Sequence, residues 1–398
     1  MKAQLPSLSS IPNIGIPALD GLRGIAAIWV LMAHALILSG SPSLPILSWG
    51  DVAVDLFMAL SGFLMMHGLL LKPPNRIEKR KFWFAFWTRR FFRIAPTYYL
   101  ALLISSVFTQ RLGEMRAGLN SIWPSVGENP ERYLSFNLET IITHVTFVFG
   151  AIPEQSFNTP LPDWSIGLEM QFYIAFPILA IAFIAGRPLL GGMIALIAGL
   201  SFNLALPEFV SSFHMPSLLS MKIQFFVAGM WIAYGRKTQK SITFLFASLI
   251  CIAITADSAR SLVGSCAVIA ILSMSTANTN LIPPLSSPQI QFLLKGMQRF
   301  LSGRLAAFFG KISYSLYLGH LLLMLPIASY LALRPSYISS DWFIRFSYLC
   351  GLTLILATPA CFYIYRKWEL KGSAFGKRAS NVILNRQHIF LFNRNTKG

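Results

Sequence analysis

Apolar residues run along this chain in blocks close to the length of a membrane span, parted by short polar links. A hydrocarbon core of about 30 Å needs about 20 helical residues. Blocks near that length start around Pro17, Val52, Phe91, Trp164, Leu189, Ser217, Ile242, Ser261, Ser313 and Trp342, and they predict ten transmembrane helices. An eleventh block, 138–152, is shorter and holds His144, Gly150 and Pro153, which suits an interfacial or re-entrant piece. The stretch 289–303 sets Phe292, Leu293, Met297, Phe300 and Leu301 against Lys295, Gln298 and Arg299, the pattern of an amphipathic helix on the inner membrane surface. No internal repeat at a fixed period is visible, and the halves do not read as the inverted repeats of transporters.

The links set the orientation. Lys72, Arg76, Lys79, Arg80, Lys81, Arg89, Arg90 and Arg93 follow the second block; Arg236, Lys237 and Lys240 follow the sixth. Lys295, Arg299, Arg304 and Lys311 precede the ninth, and Arg366, Lys367, Lys371, Lys377, Arg378, Arg386, Arg394 and Lys397 follow the tenth. In the opposite links Arg111, Arg116 and Arg132 are offset by Glu114, Glu128, Glu131 and Glu139. With ten spans all four basic links share one side, which the positive-inside rule makes the cytoplasm; with eleven they face both ways. The expectation is an all-α polytopic membrane protein of about ten transmembrane helices with both termini cytoplasmic. Residues 1–370 form the membrane domain and 371–398 a basic tail.

Composition agrees. Of 398 residues 55% are hydrophobic and 12% charged, against about 25% charged in soluble domains, and the mean hydropathy is +0.59. A soluble enzyme, a disordered chain and a fibrous protein are excluded. The net charge of +18, from 33 Lys+Arg against 15 Asp+Glu, would ordinarily suggest nucleic acid. Its placement in the links makes it a topology signal with attraction for anionic lipid, and no nucleic-acid partner is expected. Cys251, Cys266, Cys350 and Cys361 lie in apolar runs without metal-ligand spacing and read as lone thiols, so no metal is expected. Lys2 is a thin leader charge, and the run ending at Leu38 lacks a small-residue cleavage site, so the first block reads as an uncleaved span.

Charged groups inside spans are costly and mark sites. Arg23 and His34 are eleven residues apart, near one face of a helix and about 16 Å apart along it. Arg23 is placed near the inner surface and His34 in the outer half; a snorkelling Arg and a hydrogen-bonded His are the plain alternatives. Asp55, at the level of His34, could orient the imidazole or simply favour a helix N-terminus. Arg89, Arg90 and Arg93 project from one helix and suit forked recognition of phosphate, beside the plainer reading of positive-inside anchors. Glu169 lies a turn inside the outer surface, with Tyr173 four residues on, and Trp164 reads as an interfacial belt residue. Ser313, Tyr317 and His320 make one polar stripe, either helix-to-helix glue or a substrate path. Glu369 most simply pairs with a neighbouring Arg or Lys.

Five segments then carry a family resemblance, in order along nearly the whole chain: Leu-Asp-Gly-Leu-Arg-Gly-Ile-Ala-Ala with His34, Val-Asp-Leu-Phe-Met-Ala-Leu-Ser-Gly-Phe-Leu, Arg-Arg-Phe-Phe-Arg-Ile-Ala-Pro-Thr-Tyr-Tyr, Trp-Ser-Ile-Gly-Leu-Glu-Met-Gln-Phe-Tyr and Ile-Ser-Tyr-Ser-Leu-Tyr-Leu-Gly-His. Together they resemble the membrane-bound acyltransferase family 3. Its Arg-x10-His pattern falls on Arg23 and His34, and its Arg-x-x-Arg pattern on Arg90 and Arg93. Gly319 stands where Trp is common, and Leu370 follows Glu369 in place of Pro. The resemblance implies a multi-pass protein of the bacterial inner membrane that moves an acyl group, usually acetyl, from cytoplasmic acyl-coenzyme A to a sugar hydroxyl. The acceptor would be an exopolysaccharide, an O-antigen, peptidoglycan or a lipo-chitooligosaccharide.

On this reading Arg23, Arg89, Arg90 and Arg93 hold coenzyme A phosphates, and the pantetheine arm passes Ser313 and Tyr317. His34 acts as general base, and Asp55 or Glu169 orients it or binds the sugar. Acetyl-coenzyme A is a substrate, and no permanently bound cofactor is implied. The expected partners are membrane lipid, acyl-coenzyme A and a glycan or lipid-linked sugar. The rivals are a transporter or flippase for a lipid-linked sugar and a non-catalytic sensor, both separated from an enzyme by acetyl transfer from labelled donor. The acceptor itself is not written in the motifs; the segment 109–163 is expected to shape its site.

Overall fold

The computed structural model describes residues 16–73, 79–133, 136–277 and 287–392; Lys2, Arg76, Arg394 and Lys397 lie outside the described residues. Among these the chain is helix and turn without a strand. In order come α1 (Pro17–Leu38), α2 (Gly50–Leu71), α3 (Lys79–Ile122), α4 (Leu138–Val145), α5 (Trp164–Ile184), α6 (Pro188–Ala205), α7 (Pro207–Ser211) and α8 (Leu219–Thr238). They are followed by α9 (Ser241–Thr255), α10 (Ala259–Thr276), α11 (Pro288–Leu301), α12 (Arg304–Ala332), α13 (Pro335–Ile338), α14 (Trp342–Ile364) and α15 (Leu370–Phe392). Every one of the ten predicted blocks is a helix. Eight helices among the described residues are long and apolar enough to cross a membrane. The other two blocks are α9, which has 15 residues, and α8, which carries Lys222, Arg236 and Lys237. α4 has 8 residues, a rise of about 12 Å, and leads into tight turns at Val148–Ala151 and Pro153–Gln155. It cannot cross a bilayer.

Contacts fix the directions of the helices. α1 and α12 run parallel: Gly21 meets Leu301 and Ala306, Gly24 meets Gly310, and His34 meets His320. α2 and α8 run parallel, with Asp55 against Lys222 and Gly62 against Phe226. α3 and α5 are antiparallel, because Trp87 donates to the Tyr173 carbonyl at 2.9 Å while Tyr98 donates to Asp163 at 3.0 Å. α14 starts where α1 ends, with Arg345 donating to the carbonyls of Ser39 and Gly40. This alternation collects the described basic links at one end of the bundle. There Arg236 donates to the Thr276 carbonyl, and Gln298 to those of Met274 and Ala277.

Helix pairs approach backbone to backbone at several glycines, two of which matter for the site. A Cβ at Gly310 would lie 2.1 Å from the Asp20 carbonyl oxygen, and one at Gly62 would lie 2.1 Å from that of Phe226. These contacts set the register of α1 on α12 and of α2 on α8. Around them the outer faces show Ile174, Ile178, Leu204, Ile254 and Ile355, as a lipid-facing surface requires.

Three features depart from the apolar pattern. The apolar run of α3 ends near Phe108, yet the helix continues to Ile122, because Gln110, Arg111, Glu114, Met115 and Arg116 are good helix formers. Its 44 residues rise about 66 Å, roughly twice the hydrocarbon core. Across residue 370 the chain runs unbroken from α14 through a π-helical turn, Tyr365–Glu369, into α15. The described part of the basic segment lies on α3, with the Phe92 and Phe375 rings 4.6 Å apart. In the amphipathic stretch, α11 buries Leu294 and Leu301 and leaves Phe292, Leu293 and Phe300 exposed.

Candidate active site

The polar residues inside the bundle form three groups. The first surrounds a cavity of about 60 Å³ between α1, α2, α3, α5 and α12, with room for a few water molecules. Arg23, Arg90, Arg93, Glu169, Ser313 and Tyr317 all line it, six of the nine residues expected to bind the donor or take part in the chemistry. Glu169 Oε1 accepts a 2.7 Å hydrogen bond from Ser61 and a second, short one from Tyr173. The Arg90 guanidinium lies 5.7 Å from the Phe86 ring and 5.9 Å from that of Tyr173. Its buried Nε has no hydrogen-bond partner. Among the residues that line the cavity three guanidinium groups meet one carboxylate, an excess of positive charge that suits an anionic ligand. Arg89 does not share this cavity; its backbone faces Gly376 of α15.

The second group is a histidine pair farther from the basic end. His34 Nδ1 lies 3.2 Å from His320 Nε2 and 2.9 Å from the Val30 carbonyl oxygen. His320 Nδ1 lies 2.7 Å from the Tyr317 carbonyl oxygen and 3.1 Å from that of Leu316. His320 is fully buried, whereas His34 is partly open. Tyr317 bridges the two groups: its hydroxyl lies 2.7 Å from that of Ser165 at the cavity wall, and its ring is 6.4 Å from His320. Residues on α1 carry both centres, with Arg23 at the cavity and His34 three turns on.

Asp55 stands apart. Its carboxylate takes the Lys222 ammonium at 2.7 Å, and Lys222 also covers the Phe225 ring. The orienting role expected of Asp55 or Glu169 toward His34 is therefore corrected. Each carboxylate is bonded elsewhere, and the imidazole that touches His34 is His320. That residue was visible as part of the Ser313–Tyr317–His320 stripe, but its contact depends on the docking of α12 on α1, which spacing within one helix does not reveal.

A third group lay outside the sequence reading. Asp163, ahead of α5, accepts from Tyr98 at 3.0 Å and from Thr159 at 3.0 Å. His144 of α4 lies 3.8 Å from it and stacks on Phe149 at 4.3 Å. Burial pushes the Asp163 carboxyl up, against His144, its two hydroxyl donors and Arg132. Burial pushes His144 down, against the opposing pull of Asp163. Arg132 closes the segment by donating to the carbonyls of Thr159, Pro160 and Leu161. Trp164, expected at the membrane interface, is buried in this packing. Glu369 accepts from Ser315 at 3.3 Å and forms no salt bridge among the described residues. Gly319 opens on an apolar cavity of about 400 Å³ between α3, α12 and α14.

A helical bundle with arginines gathered round a carboxylate in its interior, and a histidine pair above them, defines an integral-membrane protein with an enclosed polar site. Residues 16–365 match the family described as Acyltransferase domain, and the chain belongs to that family of acyltransferase enzymes. It is 30% identical over 172 residues to Acyltransferase MdmB of Streptomyces mycarofaciens, a match covering 42% of this chain and 39% of that protein. It is 28% identical over 182 residues to Peptidoglycan O-acetyltransferase OatA of Listeria monocytogenes, covering 42% and 25%. It is 27% identical over 183 residues to O-acetyltransferase OatA of Staphylococcus aureus, covering 43% and 26%. The chain thus matches well under half the length of each of these relatives. No solved structure matches it.

Proposed function

We propose that this protein is an O-acetyltransferase of the bacterial inner membrane, moving acetyl from acetyl-coenzyme A to a hydroxyl of a cell-surface or secreted glycan. The observation that carries the reading is the cavity lined by Arg23, Arg90 and Arg93, which borders the α1–α12 pair that holds His34 and His320. The basic end of the bundle is read as cytoplasmic, with both termini there. Coenzyme A phosphates would meet the arginines. The pantetheine arm would pass Ser313 and Tyr317, which requires the Tyr317–Ser165 hydrogen bond to open. The names of the OatA relatives support O-acetyl transfer; an exopolysaccharide, an O-antigen or a lipo-chitooligosaccharide is the acceptor class proposed here.

His34 Nε2 is the proposed base. It takes the proton of the acceptor hydroxyl as the oxygen attacks the thioester carbonyl. The C–S bond then breaks, and the departing thiolate takes the proton from the imidazolium. A positioned base of this kind contributes about 10²–10⁴-fold in rate. The test uses the full chain reconstituted in lipid with radiolabelled acetyl-coenzyme A and extracted surface glycan. Transfer of label to an ester by the native chain and not by His34→Ala is the expected result. Undiminished transfer by His34→Ala would remove the assignment.

A further inference from the structure

With both rings neutral, the histidine pair leaves only one assignment of protons that satisfies every contact. His320 Nδ1 faces the carbonyl oxygens of Tyr317 and Leu316 at 2.7 and 3.1 Å. Carbonyls only accept, so this nitrogen carries hydrogen. If His320 Nε2 also carried hydrogen, it would have to donate to a bare His34 Nδ1. That nitrogen, however, lies 2.9 Å from the Val30 carbonyl oxygen, which would then confront a lone pair. A doubly protonated ring at 0% exposure would also be a charge with no carboxylate in hydrogen-bond reach among the described residues. His320 is therefore neutral with a bare Nε2. His34 Nδ1 carries hydrogen, shared between Val30 and His320. In the neutral His34 ring the remaining nitrogen, Nε2, is then bare. It has no hydrogen-bond partner among the described residues and is not among the fully enclosed unpartnered atoms.

We infer that His320 is a positioning residue for acyl transfer: its Nε2 lone pair holds the His34 Nδ1–H and keeps the His34 Nε2 lone pair free for the acceptor hydroxyl. The inference rests on the reading of His34 as base. Val30 alone would preserve the tautomer, because its carbonyl lies on the same helix one turn back. His320 adds a second acceptor from another helix, which fixes the rotation of the His34 ring. As the imidazolium forms, the Nδ1–H bond to His320 strengthens, so the contact is worth more in the transition state than before it. An acidic partner does this work in the serine-hydrolase arrangement; here a neutral imidazole supplies the acceptor.

The test compares His320→Gln, His320→Asn and His320→Leu in the reconstituted full chain, with His34→Ala beside them. A Gln amide oxygen reaches the position of His320 Nε2, whereas an Asn amide is too short. Asn and Leu are expected to lower kcat about 10- to 100-fold, the range for losing a partner that orients an imidazole. KM for acetyl-coenzyme A should stay within about twofold, and Gln should restore most of kcat. Equal rates for Gln and Asn overturn the inference, whether both are native-like or both are lost with a lowered melting temperature. A loss confined to KM overturns it too. Full activity of His34→Ala overturns the reading beneath it, whereas an inactive His34→Ala with native-like Asn and Leu variants overturns this inference alone.

Discussion

The Asp55 carboxylate holds the Lys222 ammonium at 2.7 Å across the α2–α8 contact, with side-chain exposures of 5% and 17%. Neither charge is therefore free to serve His34. Removing one partner leaves the other unpaired at membrane depth, which costs about 3–5 kcal/mol where burial is complete and less where one group keeps some solvent. Asp55→Asn should lower the melting temperature of the detergent-solubilised protein, and Lys222→Met added to it should restore most of the loss. A double variant no more stable than the single would show that the pair is not the cause.

Packing on α12 offers a sharper contrast. A Cβ at Gly310 would meet the Asp20 carbonyl oxygen at 2.1 Å, whereas one at Gly319 would meet nothing within 4 Å. Backbone of a packed helix yields little, so Gly310→Ala should cost about 1–3 kcal/mol or more and disturb the His34–His320 contact carried by the same helix pair. Gly319→Ala should stay within about 0.5 kcal/mol. Thermal unfolding of both variants checks this; equal effects would mean that α1 and α12 are not held by that close approach.

Much of this was legible in the sequence because a bilayer imposes a simple rule. Apolar blocks such as 17–38 and 164–184 have few alternatives to a spanning helix. The pairing of Arg90 with Arg93 was legible as well, since they share a face by spacing alone, but Arg89, grouped with them, lies outside the cavity. What stayed hidden depends on contacts between distant segments. Lys222 is 167 residues from Asp55, and His320 is 286 from His34. Both pairings are set by glycine contacts between helices. The polar extension of α3 was hidden for a different reason: its residues favour helix, but their polarity marks the end of a span.

The cavity separates arginines that the sequence grouped. Arg93 lines it and Arg89 does not. A charge-assisted hydrogen bond to phosphate is worth about 1.5–3 kcal/mol, so Arg93→Ala should raise the dissociation constant for acetyl-coenzyme A about 10- to 150-fold. Arg89→Ala should change it by less than about threefold, because Arg89 does not line the cavity. Equilibrium binding of labelled acetyl-coenzyme A to the reconstituted protein decides this. Equal losses would mean that both arginines reach the donor, and no loss at Arg93 would move the phosphate site elsewhere.

His144 gives the non-spanning segment around α4 a dependence on pH whose sign follows from its burial. It is fully enclosed, donates through Nδ1 to the Thr140 carbonyl at 2.8 Å, and leaves Nε2 without a hydrogen bond, 3.8 Å from Asp163. Burial holds it below the usual histidine range, whereas in the unfolded chain it titrates near about 6.5. As pH falls through that value the unfolded chain takes up a proton and the folded one does not, so stability falls. Asp163 acts with the opposite sign: burial raises its carboxyl, the folded state takes the proton first, and stability is gained as pH drops through that raised value. Comparison with a variant lacking His144 reads the coupled pair. His144→Gln removes the histidine contribution and leaves Asp163 without one of the groups that oppose its rise, so the Asp163 carboxyl rises further. Both changes favour the variant as pH falls, and its melting temperature relative to the native chain should rise steadily between about pH 7.5 and 5.5. The other five histidines are common to both chains and cancel in the difference. A gap that stays constant over this range would mean that His144 keeps the same charge folded and unfolded, and that Asp163 offsets its burial completely.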